Sequence, residues 1–343
     1  MRKNKKSNFQ NIISTRMWTR NIKLVVFLVS FGLIGATFLL KSYAITSSEP
    51  PMGLMIQVSS LAPNTTPATL KTYLSTIRKN HRDKSKPGYI NSIVLQDIAD
   101  QNGNLLTSYL DVIKPFLPGG STPAFDRAFI GTIDLNWSGS GSKYIEGIAN
   151  ATFRDKNVNL SKTVAQAFKK RYPLIKTDWY ITYEANLAGF WDSNIETNYL
   201  TYINQLTIAL SSVTSGKTFM WSPAFWTPYR NEPDWALPGL KTNFNDLFSK
   251  IQAPIILNFQ DFVGQSNGNS TKEDAVIWLT YLKQNVPSLS NIQINVEQFK
   301  QNTDGSIVPG DSTELPAREK YYVKNGIKLG PAWEIRYWYK RLY

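Results

Sequence analysis

The chain has 343 residues, 42% hydrophobic and 18% charged, a globular composition that excludes intrinsic disorder. Its net charge of +13 is concentrated at one end: residues 1–43 hold eight basic and no acidic residues, leaving 30 basic against 25 acidic, or +5, over the rest. An excess that small excludes a nucleic-acid footprint, no zinc-finger or RNA-binding aromatic motif accompanies it, and the lack of cysteine excludes disulfides.

The basic N-terminus, residues 1–23, precedes an uncharged run of 17 residues, Leu24 to Leu40. Its length falls between a signal-peptide core and a transmembrane helix, and the positive charges before it predict a cytoplasmic N-terminus with the remainder facing outward. The small residues of Ser42-Tyr43-Ala44 suit signal peptidase, so both a retained membrane anchor and a domain secreted after cleavage near Ala44 stay open. A linker over 41–52 then leads to one domain, 53–343, a length within the usual range of an α/β barrel.

Within that domain, strand-like segments start near Gly53, Ile90, Ala128, Asp178, Thr218, Pro254 and Asn291, with a weaker eighth near Ile327. Successive intervals of 37, 38, 50, 40, 36, 37 and 36 residues mark a repeated strand–helix unit. Helical patterns fill the gaps. Thr66-Pro67 reads as N-cap and first position of the first helix, and others are expected at Leu160–Arg171, Ile195–Ser212, Asn245–Ile251 and Lys272–Asn285. Alternating strands and helices with right-handed crossovers predict a parallel sheet, which eight repeats close into a (β/α)8 TIM barrel preceded by one N-terminal hydrophobic helix. A doubly wound open sheet is the alternative, weakened because no glycine-rich phosphate-binding turn follows the first strand.

Side chains alternate along a strand, so the polar residue ending each apolar run is expected to point along the barrel axis. Glu184 ends WYITYE and Glu297 ends INVE; Gln57, Gln96, Asp134, Ser222 and Gln260 occupy equivalent ends. Active sites of parallel barrels are built at that end, and two carboxylates there are what glycosidic bond cleavage requires. Aromatic residues lie just beyond, including Trp137, Phe190, Trp191, Trp226, Tyr229, Phe262, Phe299 and Trp333. Sugars pack C–H faces on flat rings and turn their hydroxyls to amides and carboxylates, so the mixture suits a saccharide. The single histidine, His81, falls in the polar run KNHRDKSK, on an expected solvated loop after the first helix and away from chemistry.

The segments WYITYEANLAGFW, MWSPAFW, ILNFQDFVGQ and INVEQF together resemble an uncharacterised TIM-barrel family, a domain of unknown function grouped with glycosidases; the likeness spans Gly53 to Tyr343. More broadly, the chain is similar to the large clan of retaining glycosidases, whose acid/base follows strand four and whose nucleophile ends strand seven. That resemblance implies Glu184 as general acid/base and Glu297 as nucleophile. It also marks a departure: Tyr183 stands where the clan has asparagine before the acid, and Asn186 or Gln260 is the candidate substitute for recognising a sugar 2-hydroxyl.

The expectation is a glycoside hydrolase acting as a monomer on an extracellular oligo- or polysaccharide, with no metal or cofactor and with Asp261 and Asp134 as reserve carboxylates. Retention calls for carboxyl groups about 5–5.5 Å apart and inversion for about 6.5–9.5 Å. The rival is a non-catalytic carbohydrate-binding barrel at the cell surface. A lyase or esterase lacks a suitable base or nucleophilic serine motif.

Overall fold

The computed structural model describes residues 52–61, 64–84, 88–185, 190, 192–214, 217–224, 233–265 and 270–342, those of 233–241 and 340–342 by their backbone. The N-terminal basic segment, the expected hydrophobic helix Leu24–Leu40 and most of the linker lie outside the described residues. Among the described residues no helix is long and apolar enough to cross a membrane.

Seven strands run in chain order: β1 (Met52–Gln57), β2 (Ile90–Asp97), β3 (Arg127–Gly131), β4 (Asp178–Ile181), β5 (Phe219–Trp221), β6 (Ile255–Gln260) and β7 (Ile292–Asn295). Each pairs in parallel with the next. A short hairpin, β8 (Phe299–Gln301) and β9 (Ile307–Pro309), intervenes before the two-residue β10 (Pro331–Ala332), which pairs in parallel with β1. The ring closes between β7 and the approach to β10, where Ile294 N–H donates to the Lys328 carbonyl at 2.9 Å and Gly330 N–H donates to the Ile294 carbonyl at 2.8 Å. Eight parallel strands with helices between them make the fold a (β/α)8 barrel. The weak eighth strand is weak because the bridge at Leu329 and two β10 residues suffice for closure.

The helices are α1 (Pro67–Asn80), α2 (Thr107–Ile113), α3 (Ala151–Arg171), α4 (Ser193–Ser211), α5 (Pro233–Lys250), α6 (Lys272–Asn285), α7 (Glu314–Lys324) and α8 (Ile335–Leu342). Thr66 caps α1 by accepting from Thr69 N–H at 3.1 Å, with Pro67 at the first position where its missing N–H costs nothing. The helix α3 starts nine residues before the expected Leu160, because the Asn150 side chain caps it and Phe153, Asn157 and Val158 give its polar first half a buried stripe. Similarly, α5 begins twelve residues before Asn245.

Alternation divides the strands between two cores. Leu54, Ile56, Ile93, Leu95, Ile130, Trp179, Ile181, Trp221, Leu257 and Ile294 face the helices in the larger one. Met55, Val94, Phe129, Tyr180, Met220 and Ile256 fill the barrel axis, with Trp333 packed on them from above. Above this apolar plug the interior turns polar: the buried Asn258 donates through Nδ2 to Ser222 Oγ (3.0 Å) and to the Pro331 carbonyl (2.9 Å), tying β5, β6 and β10 together.

Gly131, which ends β3 between β2 and β4, has no room for a side chain: a Cβ there would lie 2.0 Å from the Gln96 carbonyl oxygen and 2.8 Å from Thr182 Cγ2. The nearer obstacle is backbone of the paired strand, which cannot rotate aside. Gly131→Ala is therefore expected to lower stability in urea unfolding by about 1–3 kcal/mol; an unchanged midpoint would contradict this packing.

Candidate active site

A cleft of about 160 Å³ opens at the C-terminal ends of the strands. Carboxyl groups of Asp134, Glu184 and Glu297 and amides of Gln57, Gln96, Gln260 and Gln265 line it. Thr182, Tyr144, Phe299, Ile307 and Trp333 complete the wall.

Glu184 follows β4 with the inward parity of Tyr180 and Thr182, which carries it over the plug. Trp333 Nε1 donates to Gln96 Oε1 at 3.2 Å. An indole N–H can only donate, so Gln96 must turn its amide nitrogen the other way, where Nε2 donates to Glu184 Oε1 at 2.6 Å. Tyr180 O–H donates to the same oxygen at 3.4 Å, from within the plug. Burial raises the Glu184 carboxyl to about 7 and Asp134 adds to this, against bonds from Gln260 and Tyr180 and the charge of Lys143. Lys143 Nζ pairs with Asp134 Oδ2 at 2.6 Å, leaving Asp134 Oδ1 buried without a hydrogen bond.

Glu297, only 2% exposed, follows β7 on the face of Asn295. Its Oε2 accepts from Gly264 N–H at 2.7 Å, and burial, then the Asp261 carboxylate, raise its pKa, opposed mainly by Arg318. Asn295 Oδ1 accepts from Trp333 N–H at 2.9 Å, so the ring that orients Gln96 is itself held by the strand that carries Glu297. Phe299 meets Trp333 edge-on at 5.0 Å, and Gln301 N–H donates to the Gly264 carbonyl at 2.8 Å, which fixes the β8–β9 hairpin beside the cleft.

Seven sequence-derived site residues thus share the cleft: Gln57, Gln96, Asp134, Glu184, Gln260, Glu297 and Trp333. Four others are elsewhere. Tyr183 is fully buried on the helix side, because a residue between inward Thr182 and Glu184 must point outward; its O–H donates to the Leu135 carbonyl. Asp261 follows inward Gln260 and points outward for the same reason, against Arg318 and Tyr322 of α7. Ser222 has the right parity but lies a level too deep, buried beside Asn258, whose Nδ2 donates to its Oγ. Trp137 bonds the Ser140 carbonyl and packs edge-on against Phe153 of α3. Phe190, expected on the rim, is buried against Tyr199, Trp221 and Phe244. Asn186, Trp191, Trp226 and Tyr229 lie outside the described residues. His81 does follow the first helix, but it is half-buried rather than solvated, with Nδ1 bonded to the Gly88 carbonyl at 3.0 Å.

The sequence reading missed Tyr144, Gln265 and Ile307. For Ile307 a signal existed: Asp304-Gly305 is a hairpin turn pair, and Gly305 adopts φ +83°. Tyr144 lies in a short π-helical turn, Lys143–Gly147, and Gln265 follows the turn at Phe262, where no strand periodicity points them inward. Among the described residues, no cluster of three or more histidine or acidic side chains is placed to hold a metal ion.

No protein-family model and no curated protein matches the chain. Solved structures do match. One assigned as an alpha-L-fucosidase from Bacteroides thetaiotaomicron superposes with a TM-score of 0.61 at 12% identity, covering 84% of this chain and 86% of that one. A beta-galactosidase from the psychrophilic Marinomonas ef1 gives 0.51 at 10%, over 83% of this chain and 54% of its own. A chitinase from Pseudoalteromonas aurantia gives 0.50 at 12%, over 82% and 92%. At such identities the likeness is one of fold: this chain is built on the barrel used by glycoside hydrolases.

An acid held neutral to about pH 7 when folded, but ionising near 4.5 when unfolded, keeps more protons in the folded state between those values, so it costs stability as pH rises. Glu184→Gln removes that cost. The variant is expected to be more stable than the parent by about 1–3 kcal/mol at pH 8, with the gain shrinking towards zero near pH 5. Chemical denaturation at both pH values measures it, and an equal gain at both would contradict the buried neutral acid.

Proposed function

We propose that this protein is a glycoside hydrolase that cleaves a glycan outside the cell by a two-carboxylate, retaining mechanism. The observation that carries the reading is the pairing of Glu184 and Glu297 after β4 and β7 in one cleft, both buried enough to be raised, among four glutamine amides and the Trp333 ring.

In the proposed reaction Glu184 donates its proton to the glycosidic oxygen as the bond breaks. Glu297 attacks the anomeric carbon from the opposite face and forms a glycosyl-enzyme, which water hydrolyses with Glu184 now acting as base. A carboxyl protonated to about pH 7 suits the first role, since an acid must still hold its proton at working pH. Glu297 must ionise to attack, and Gly264 N–H, at 2.7 Å from Oε2, stabilises the charged form. The amides of Gln57, Gln96, Gln260 and Gln265 are the groups that would meet sugar hydroxyls, and Trp333 and Phe299 offer ring surface for C–H faces. With Tyr183 turned outward, Gln260 is the described side chain best suited to a 2-hydroxyl; it donates to the Ser222 carbonyl at 2.8 Å and also bonds Glu184.

Export, with or without retention of the Leu24–Leu40 segment in a membrane, is part of the proposal and rests on the eight basic residues of the N-terminal 43. The substrate is an oligo- or polysaccharide, and the protein is proposed to act as a monomer.

A depolymerisation screen of glycans is expected to find a cleaved substrate. On it, Glu184→Gln and Glu297→Gln should each lower kcat by about 10³-fold or more while binding survives. For Glu297→Ala, azide should restore cleavage with inverted anomeric configuration. Full turnover in either variant sinks the role assignment, and a glycan bound but never cleaved would favour the carbohydrate-binding alternative.

A further inference from the structure

Asp261 and Arg318 are both 2% exposed and neither lines the cleft, yet they grip the backbone of Glu297 from its two sides. Glu297 N–H donates to Asp261 Oδ1 at 3.2 Å, and the Glu297 carbonyl accepts from Arg318 Nη2. The pair is joined through Arg318 Nε and Asp261 Oδ2 at 3.4 Å. Tyr322, one turn after Arg318 on α7, donates its O–H to Asp261 Oδ2 at 3.0 Å.

The grip extends to the carboxylate itself. Asp261 Oδ1 also accepts from Val263 N–H at 3.4 Å, holding a tight turn in which Phe262 takes φ +57°. Gly264 then presents its N–H to Glu297 Oε2, and a Cβ on Gly264 would lie 2.9 Å from that oxygen and 2.5 Å from the Phe299 carbonyl. Main chain and carboxylate of Glu297 are thus both referred to one buried side chain.

We propose that the Asp261–Arg318 pair is a positioning unit for Glu297, acting through its backbone and through Gly264 N–H to hold the carboxylate in its reactive place. The proposal rests on the hydrolase reading only for what Glu297 does in turnover. Removing one partner of a buried ion pair leaves the other charge uncompensated, whereas replacing both removes it cleanly. The charged and titratable groups facing Glu297 are Asp261 beyond β6, Arg318, Glu314 and Tyr322 on α7, and Glu184 across the cleft. With Asp261 neutralised, Arg318 acts unopposed on Glu297; with Arg318 neutralised, Asp261 does.

Titrating the side-chain carboxyl of Glu297 by carbon-13 NMR in the full chain, assigned by its loss in Glu297→Gln, reads this without turnover. Asp261→Asn is expected to move the Glu297 midpoint down, and Arg318→Gln up, each by about one pH unit or more. On a cleaved glycan, both should lower kcat by about 10- to 100-fold with KM little changed. The double variant Asp261→Asn/Arg318→Gln removes both charges of the pair together and covers the case in which a single variant does not fold. It should lose a similar share of kcat because Asn keeps an acceptor for the Glu297 N–H but not the ion pair that fixes it, and Gln is too short to reach the Glu297 carbonyl. A folded variant with the parent's midpoint and kcat overturns the proposal, as does failure of all three to fold, which would make the pair purely structural. Displaced midpoints together with no cleavage by the parent would sink the hydrolase reading and leave the positioning unit standing.

Discussion

Carboxyl groups withdrawn from water must be met by donors or stay protonated, and the upper barrel is organised around that requirement. Below it, Met55, Val94, Phe129, Tyr180, Met220 and Ile256 close the axis to water. Glu184 and Glu297 sit directly above this plug, so their low-dielectric surroundings come from the same side chains that hold the sheet closed. The raised carboxyls and the stability of the barrel therefore draw on one apolar layer.

The donors that meet these carboxyls are passed along chains of fixed polarity. The Asn295 amide oxygen holds Trp333 N–H, the Trp333 indole orients Gln96, and Gln96 donates to Glu184. On the other side, Asp261 and Arg318 hold the backbone of Glu297 while Gly264 N–H holds its carboxylate. Because an indole N–H cannot accept and a guanidinium cannot lose its proton, neither chain can reverse its direction. The Glu297 backbone is thereby held from outside the cleft, whereas Glu184 is oriented by Gln96 and Trp333, which are themselves part of the cleft wall.

Closure of the ring is the least redundant part of the fold. Two residues of β10 and one bridge to Ile294 complete a circle whose other pairings run three to six residues. Asn258 reinforces that seam by bonding the Pro331 carbonyl from within the barrel, and Trp333 follows at once. The seam and the aromatic wall of the cleft are thus the same short stretch of chain, which explains why so brief a strand ends in so placed a ring.

Much of this was legible in the residues. The near-constant spacing of apolar runs read as a barrel because a strand–helix unit of fixed size repeats, and period-two alternation brought Gln57, Gln96, Gln260, Glu184 and Glu297 to one end, since alternation is a local property of an extended chain. Applied to its neighbours, the same rule turns Tyr183 and Asp261 outward, as they are found. The rule stops where strands stop. Gly131 ends β3 facing inward, the parity shifts after it, and Asp134 reaches the cleft through a loop held by Lys143. Depth, too, lies beyond a single strand: Ser222 and Gln260 share a parity, but only the stagger between β5 and β6 buries one and exposes the other to the cleft. The sequence by itself determined which residues face the axis, because that depends on neighbours along the chain. The tertiary structure alone decided which of them meet, how deep they lie and what holds them, because those depend on strands and helices brought together from distant parts of the chain.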